Sequence, residues 1–130
     1  MLRVVASLLV FEGLVLAQPT PDQAAQAKQL FEEGRKEAAG GQYDQACDSF
    51  NKSFALDPAV GTELNIGDCE EKLGHIEVAW HMLDDAAKRD NDADRIKYAR
   101  GRAATLAPKL AAIIIKVPDA PDPLIDCRFA

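Results

Sequence analysis

The sequence predicts an all-α protein: a solenoid of helical hairpins about two and a half repeats long, followed by a short C-terminal β segment. Three observations predict it. Through most of the chain apolar residues recur at three- and four-residue intervals, the spacing of amphipathic helices. Small and large residues also return at one constant step: Gly34 as Gly67, Gly41 as Gly74, Ala46 as Ala79 and Phe50 as Leu83. A fixed period of this length marks stacked helical-hairpin units. Finally, the composition is 48% hydrophobic, 28% charged and only 6% aromatic, which suits an alanine-rich helical domain. The net charge of −6 is spread along the chain and offers no basic surface to phosphates, so nucleic acid is not an expected partner.

Residues 1–17 read differently from the rest. Arg3 precedes the apolar run Val4 to Ala17, which closes on Val15-Leu16-Ala17 before Gln18-Pro19, the pattern of a secretory signal peptide over 1–17. The alternative is an uncleaved N-terminal helix or a mis-assigned start, in a cytoplasmic protein. With Glu12 inside it, the run from Val4 to Ala17 is too short and too polar to span a membrane stably. Residues 18–22 form a linker with two prolines, and the repeat domain is expected over 23–107.

Within that domain Ala24, Ala27, Leu30, Phe31, Gly34 and Ala38 line one face of a first helix, closed by Gly40-Gly41. A second helix carries Ala46, Cys47, Phe50 and Phe54 and stops at Asp57-Pro58. Gly61-Thr62 opens a third, with Thr62 as the expected N-cap, and Gly74 ends it. The fourth has the cleanest stripe, Ile76, Ala79, Trp80, Leu83, Ala86 and Ala87. Arg89 to Asp92 form a loop before a fifth helix over roughly 93–107. After Pro108 the run Ala111-Ala112-Ile113-Ile114-Ile115-Lys116-Val117, with its β-branched residues, and the alternating Leu124 to Phe129 predict two strands over 108–130, either a small β cap or the opening of a larger β domain.

With Gly34, Ala46, Phe50 and Pro58 in these places, and Gly41-Gln42-Tyr43-Asp44-Gln45-Ala46 between the helices, the first hairpin resembles the tetratricopeptide repeat. Gly67, Lys72-Leu73-Gly74, Ala79, Leu83 and Ala86 repeat the pattern, although Asn91 stands where the closing proline would be. Gly101, about one further repeat beyond Gly67, makes the fifth helix resemble the first helix of a third unit. Leu-Asp-Pro-Ala-Val-Gly-Thr and Leu-Asn-Ile-Gly-Asp-Cys are similar to segments of exported bacterial repeat proteins.

The resemblance implies a protein-interaction module without enzymatic activity, acting in the periplasm or outside the cell on a protein or peptide partner. An alternative is a structural or sensor-input fragment of a larger envelope protein. It implies a peptide site on the concave face, with Asn65 placed where related repeats often hold a ligand backbone, and with Asp68, Arg35 and Lys97 sharing that face. Asn is also simply common at that position. It further places Cys47 and Cys69 on adjacent helices, so that they form either a disulfide in an oxidising compartment or two reduced core residues, with Cys127 left over. The Cα separation decides between these.

Catalysis and metal binding have little to stand on. No nucleophile, base and orienting group recur together, and Glu70-Glu71 and Asp84-Asp85 diverge as neighbours on helices. His75 and His81 lack paired-ligand spacing, and no glycine-rich phosphate loop is present, so no cofactor is expected.

Overall fold

Thr20 starts the folded chain. Its hydroxyl accepts from the Gln23 amide at 3.3 Å while Gln23 Oε1 accepts from the Thr20 amide at 2.9 Å, a reciprocal cap with Pro21 at the first helical position. The structure, a computed structural model, describes residues 18–115. Five helices follow in order: α1 (Pro21–Ala39), α2 (Tyr43–Leu56), α3 (Val60–Leu73), α4 (Ile76–Arg89) and α5 (Ala93–Ile115). Each packs on its neighbours in the chain, so α1–α2 and α3–α4 form two hairpins and α5 lies against α4. The expected signal peptide, Cys127 and the strand at Leu124 to Phe129 lie outside the described residues.

The echo in the sequence becomes contact. A Cβ added at Gly34 would meet the Phe50 ring at 2.8 Å, and one added at Gly67 would meet Leu83 Cγ at 2.7 Å. The two glycines therefore occupy equivalent slots, each seating the bulky residue that follows it at the same interval. Both hairpins turn through a left-handed glycine, Gly41 at φ 76° and Gly74 at φ 82°. Two apolar clusters result. The first joins Ala46, Cys47, Phe50, Ile66 and Cys69, with the Phe31 and Phe50 rings 5.7 Å apart. The second is aliphatic and rich in alanine, built on Leu64, Ala79, Leu83, Ala103 and Leu106.

Three expectations need correction. Helix α1 begins at Pro21, inside the stretch read as linker, because proline is tolerated in a first turn that Thr20 caps. Helix α3 begins at Val60, not after Thr62: the Ala59 carbonyl accepts from the amides of Thr62 and Glu63, and Thr62 is buried within the first turn rather than capping it. Helix α5 runs past Pro108 to Ile115, so residues 111–115 are helical, not the start of a strand. Extending an established helix by one residue costs far less than nucleating new structure, and Lys109 to Ala112 are good helix formers. A strand needs a neighbour to bond, and among the described residues there is none.

The loop between α4 and α5 is closed by two aspartates. Asp92 Oδ1 accepts from the amides of Asp94 and Arg95 at 3.0 and 2.9 Å, capping α5. Asp90 binds the Arg95 guanidinium at 2.6 and 2.7 Å and accepts from the amides of Asn91 and Asp92. The Arg95 bond, with help from those amides, holds the Asp90 carboxyl well below the usual carboxylate range.

Candidate functional site

Asn65 and Asp68 are three residues apart on α3 and so share a face of that helix. Together they line a small hollow of about 90 Å³, whose floor is Ala38, Phe50 and Cys69 and whose rim includes Tyr43 and Lys72. Of the four residues assigned to this face by the sequence, these two are brought together. Arg35 is exposed on α1, 4.0 Å from Glu32, and Lys97 is exposed on α5; neither lines the hollow.

One of the two Nδ2 hydrogens of Asn65 is already used, donated to the Gly61 carbonyl one turn back at 2.8 Å. That bond orients the amide and leaves Oδ1 as the group able to accept from a ligand. Asp68 is engaged from the other side. It accepts from the Tyr98 hydroxyl at 2.7 Å, while its Oδ1 faces Arg102 Nε at 3.7 Å, each of those two atoms buried and without a hydrogen-bond partner. Arg102 also donates to Glu71, which Lys109 approaches at 3.9 Å.

Burial pushes the Asp68 carboxyl above its ordinary range, against the Tyr98 and Arg102 contacts that favour its charged form. Burial together with the bond to Asp68 pushes the Tyr98 phenol up to about 12, so it remains a donor at neutral pH. The result is a polar bracket clamping α3 to α5, which the sequence reading missed. A signal existed. Asp68 and Glu71 stand about one repeat ahead of Arg102 and carry the opposite charge, and that is the separation at which equivalent helices of successive units meet.

A second hollow, about 280 Å³, opens where α1 and the end of α2 meet the start of α3. Its walls are mostly apolar, with Ala24, Ala27 and Phe31 on α1 and Gly61 on α3, and Lys28 and Asp57 supply charge at its edge. An apolar side chain fits a space of this kind.

Cys47 and Cys69 are joined, with their Cα atoms 5.7 Å apart, inside the range a bridge requires. Both are buried, and the bond ties α2 to α3, holding the first hairpin to the second next to the smaller hollow. Across the other interface Glu63, its side chain only 4% exposed, receives Arg89 at 2.9 Å. The same guanidinium donates to the Pro58 carbonyl at 2.9 Å and lies over the Phe54 ring. Among the described residues no group of three His, Cys, Asp or Glu side chains converges as a metal cradle. No described helix is long and apolar enough to cross a membrane. Comparison of the sequence with protein-family models and with curated proteins returns no match.

Proposed function

We propose that this chain is a non-enzymatic protein-interaction scaffold of tetratricopeptide type that binds an extended peptide along α3 in the bacterial cell envelope. The observation that carries the reading is the pair of equivalent slots, Gly34 under Phe50 and Gly67 under Leu83, since stacked hairpins in constant register present one helix of each unit along a common face. On that face Asn65 Oδ1 accepts a peptide N–H, Lys72 offers a donor, and the hollow over Phe50 takes a side chain. The Cys47–Cys69 bond supports an oxidising compartment. A second reading, a structural portion of a larger envelope protein, is favoured by the uncovered glycine on α5, where a Cβ at Gly101 meets nothing within 4 Å among the described residues.

The test is selection of peptides on the purified full chain followed by titration against variants. Asn65→Ala is expected to weaken a selected peptide about tenfold, the loss of one hydrogen bond. Equal affinity in wild type, Asn65→Ala and Lys72→Ala would remove this face as the binding site.

A further inference from the structure

The same register that closes two slots leaves a third that no described residue covers. Phe31 and Gly34 on α1 are covered by Phe50 of α2; one repeat on, Gly67 is covered by Leu83 of α4, within the cluster that also buries Leu64. About one further repeat on stand Tyr98 and Gly101 of α5. Tyr98 is 46% exposed, one of the two large hydrophobic residues so exposed among those described, and the space over Gly101 is empty of described atoms. Because α5 continues as one helix past Pro108 to Ile115, residues 108–115 do not form a separate helix that turns back to cover this face as α2 and α4 cover theirs.

The covering helices also show what fits. On α2 the buried face reads Ala46, Phe50, Ser53, and on α4 it reads Ala79, Leu83, Ala86: small, then large one helical turn later, then small after another. Arg89 follows on the next turn after Ala86 and pairs with Glu63 on α3. The position equivalent to Glu63 on α5 is Lys97, exposed and of opposite charge. An occupant of the third slot therefore needs a carboxylate where α4 carries Arg89.

We propose that the open face of α5 around Tyr98, Gly101 and Lys97 docks an amphipathic helix from a partner protein, patterned small-x3-large-x2-small-x2-acidic, which completes a third hairpin in trans. A second copy of this chain is a poor occupant: Ala27, Phe31, Gly34 and Glu37 fit the pattern, but Gly34 is already buried beneath Phe50. This surface lies on α5 and meets the α3 face only where the Tyr98 hydroxyl donates to Asp68; it does not include Asn65, and it goes beyond the peptide reading above.

The probe is a synthetic peptide with the sequence of residues 76–90 carrying Arg89→Glu, titrated against the full-length protein by fluorescence anisotropy. Binding is expected, weakened about tenfold or more by Gly101→Leu, which fills the slot from a Cβ that meets no described atom in the free protein. Lys97→Glu is expected to weaken the Glu-bearing peptide by a similar factor and to restore binding of the parent Arg-bearing peptide. Asn65→Ala leaves both affinities unchanged, so failure here and failure of the α3 site are distinguishable. Absence of binding, or affinity indifferent to Gly101→Leu and Lys97→Glu, overturns the proposal. So does binding that appears only after deletion of residues 116–130, which would make the chain's own C-terminal segment the occupant. A dimer that Gly101→Leu dissociates would make it a second copy, and overturns the proposal equally.

Discussion

The two hairpins solve one geometric problem with different chemistry. In the first, an aromatic ring sits over Gly34, a second ring leans on it, and a covalent bond ties the pair to the next helix. In the second, Leu83 sits over Gly67 within a field of alanines, Arg89 pairs with Glu63 inside the hairpin and reaches Pro58 before it, and polar contacts from Asp68 and Glu71 hold α5. The backbone relation is common to both and the side chains are not. What specifies the stack is therefore the sequence of small and large volumes at a constant interval, while cross-links and ion pairs are local additions to it.

The largest effects are expected at the two residues seated over the glycines. Phe50→Ala is expected to cost about 3–5 kcal/mol and Leu83→Ala about 2–5 kcal/mol, read as shifts of the urea midpoint, because both side chains are essentially fully buried. If either loss stays below about 1 kcal/mol, the slot is not what holds its hairpin. Replacing both cysteines (Cys47→Ala with Cys69→Ala) is expected to cost about 3 kcal/mol in the chain-entropy view of a sequence separation of 22. Hydrogen exchange should then accelerate in α1 and α2 while α4 and α5 keep their protection. Uniform acceleration would mean that the two regions unfold as one unit.

The glycines sharpen the contrast at smaller scale. Gly67→Ala gains about 1 kcal/mol of helix propensity, yet its Cβ would press on the branch atom of Leu83, backed by the Ala79 carbonyl at 3.4 Å. A net loss of about 1–2 kcal/mol is expected by thermal melting. Gly34→Ala should lose less, since the Phe50 ring can pivot at its edge. A reversed order would show that the disulfide makes the first slot the more rigid of the two.

The smallest effect concerns acid. Asp90 has its pKa depressed in the folded state by Arg95, so its contribution is present above about pH 4, where the unfolded carboxyl is ionised, and is lost as pH falls through the folded value. Glu63, pushed upward by burial, works in the opposite direction and favours the folded state at low pH. Asp90→Asn should therefore narrow the difference in Tm between pH 7 and pH 3. An unchanged difference would mean that the α4–α5 loop does not sense protons through this residue.

How much of this is legible in the sequence depends on the kind of interaction. The glycine slots, the left-handed turns at Gly41 and Gly74 and the apolar stripes can all be read, because each follows from a side-chain volume or a backbone preference local to a few residues. The extension of α5 is hidden, since a proline advertises its own cost and not the ease of prolonging a helix already formed. The start of α3 misleads because Thr62 is a good capping residue in isolation, whereas packing places it indoors. Tyr98 and Arg102 escape notice because their meaning depends on two helices lying side by side, which no single-helix pattern encodes. Only the repeat resemblance groups Arg35 and Lys97 with Asn65; the hollow lined by Asn65 and Asp68 includes neither.

The bridge between Cys47 and Cys69 has a mechanical corollary. A chain drawn out from its two ends can lengthen only through residues that are not enclosed between the bonded sulfurs, and a sequence separation of 22 is enclosed here. Fully stretched, the oxidised molecule should stop about 70 Å short of the reduced one, a gap that single-molecule force spectroscopy resolves directly.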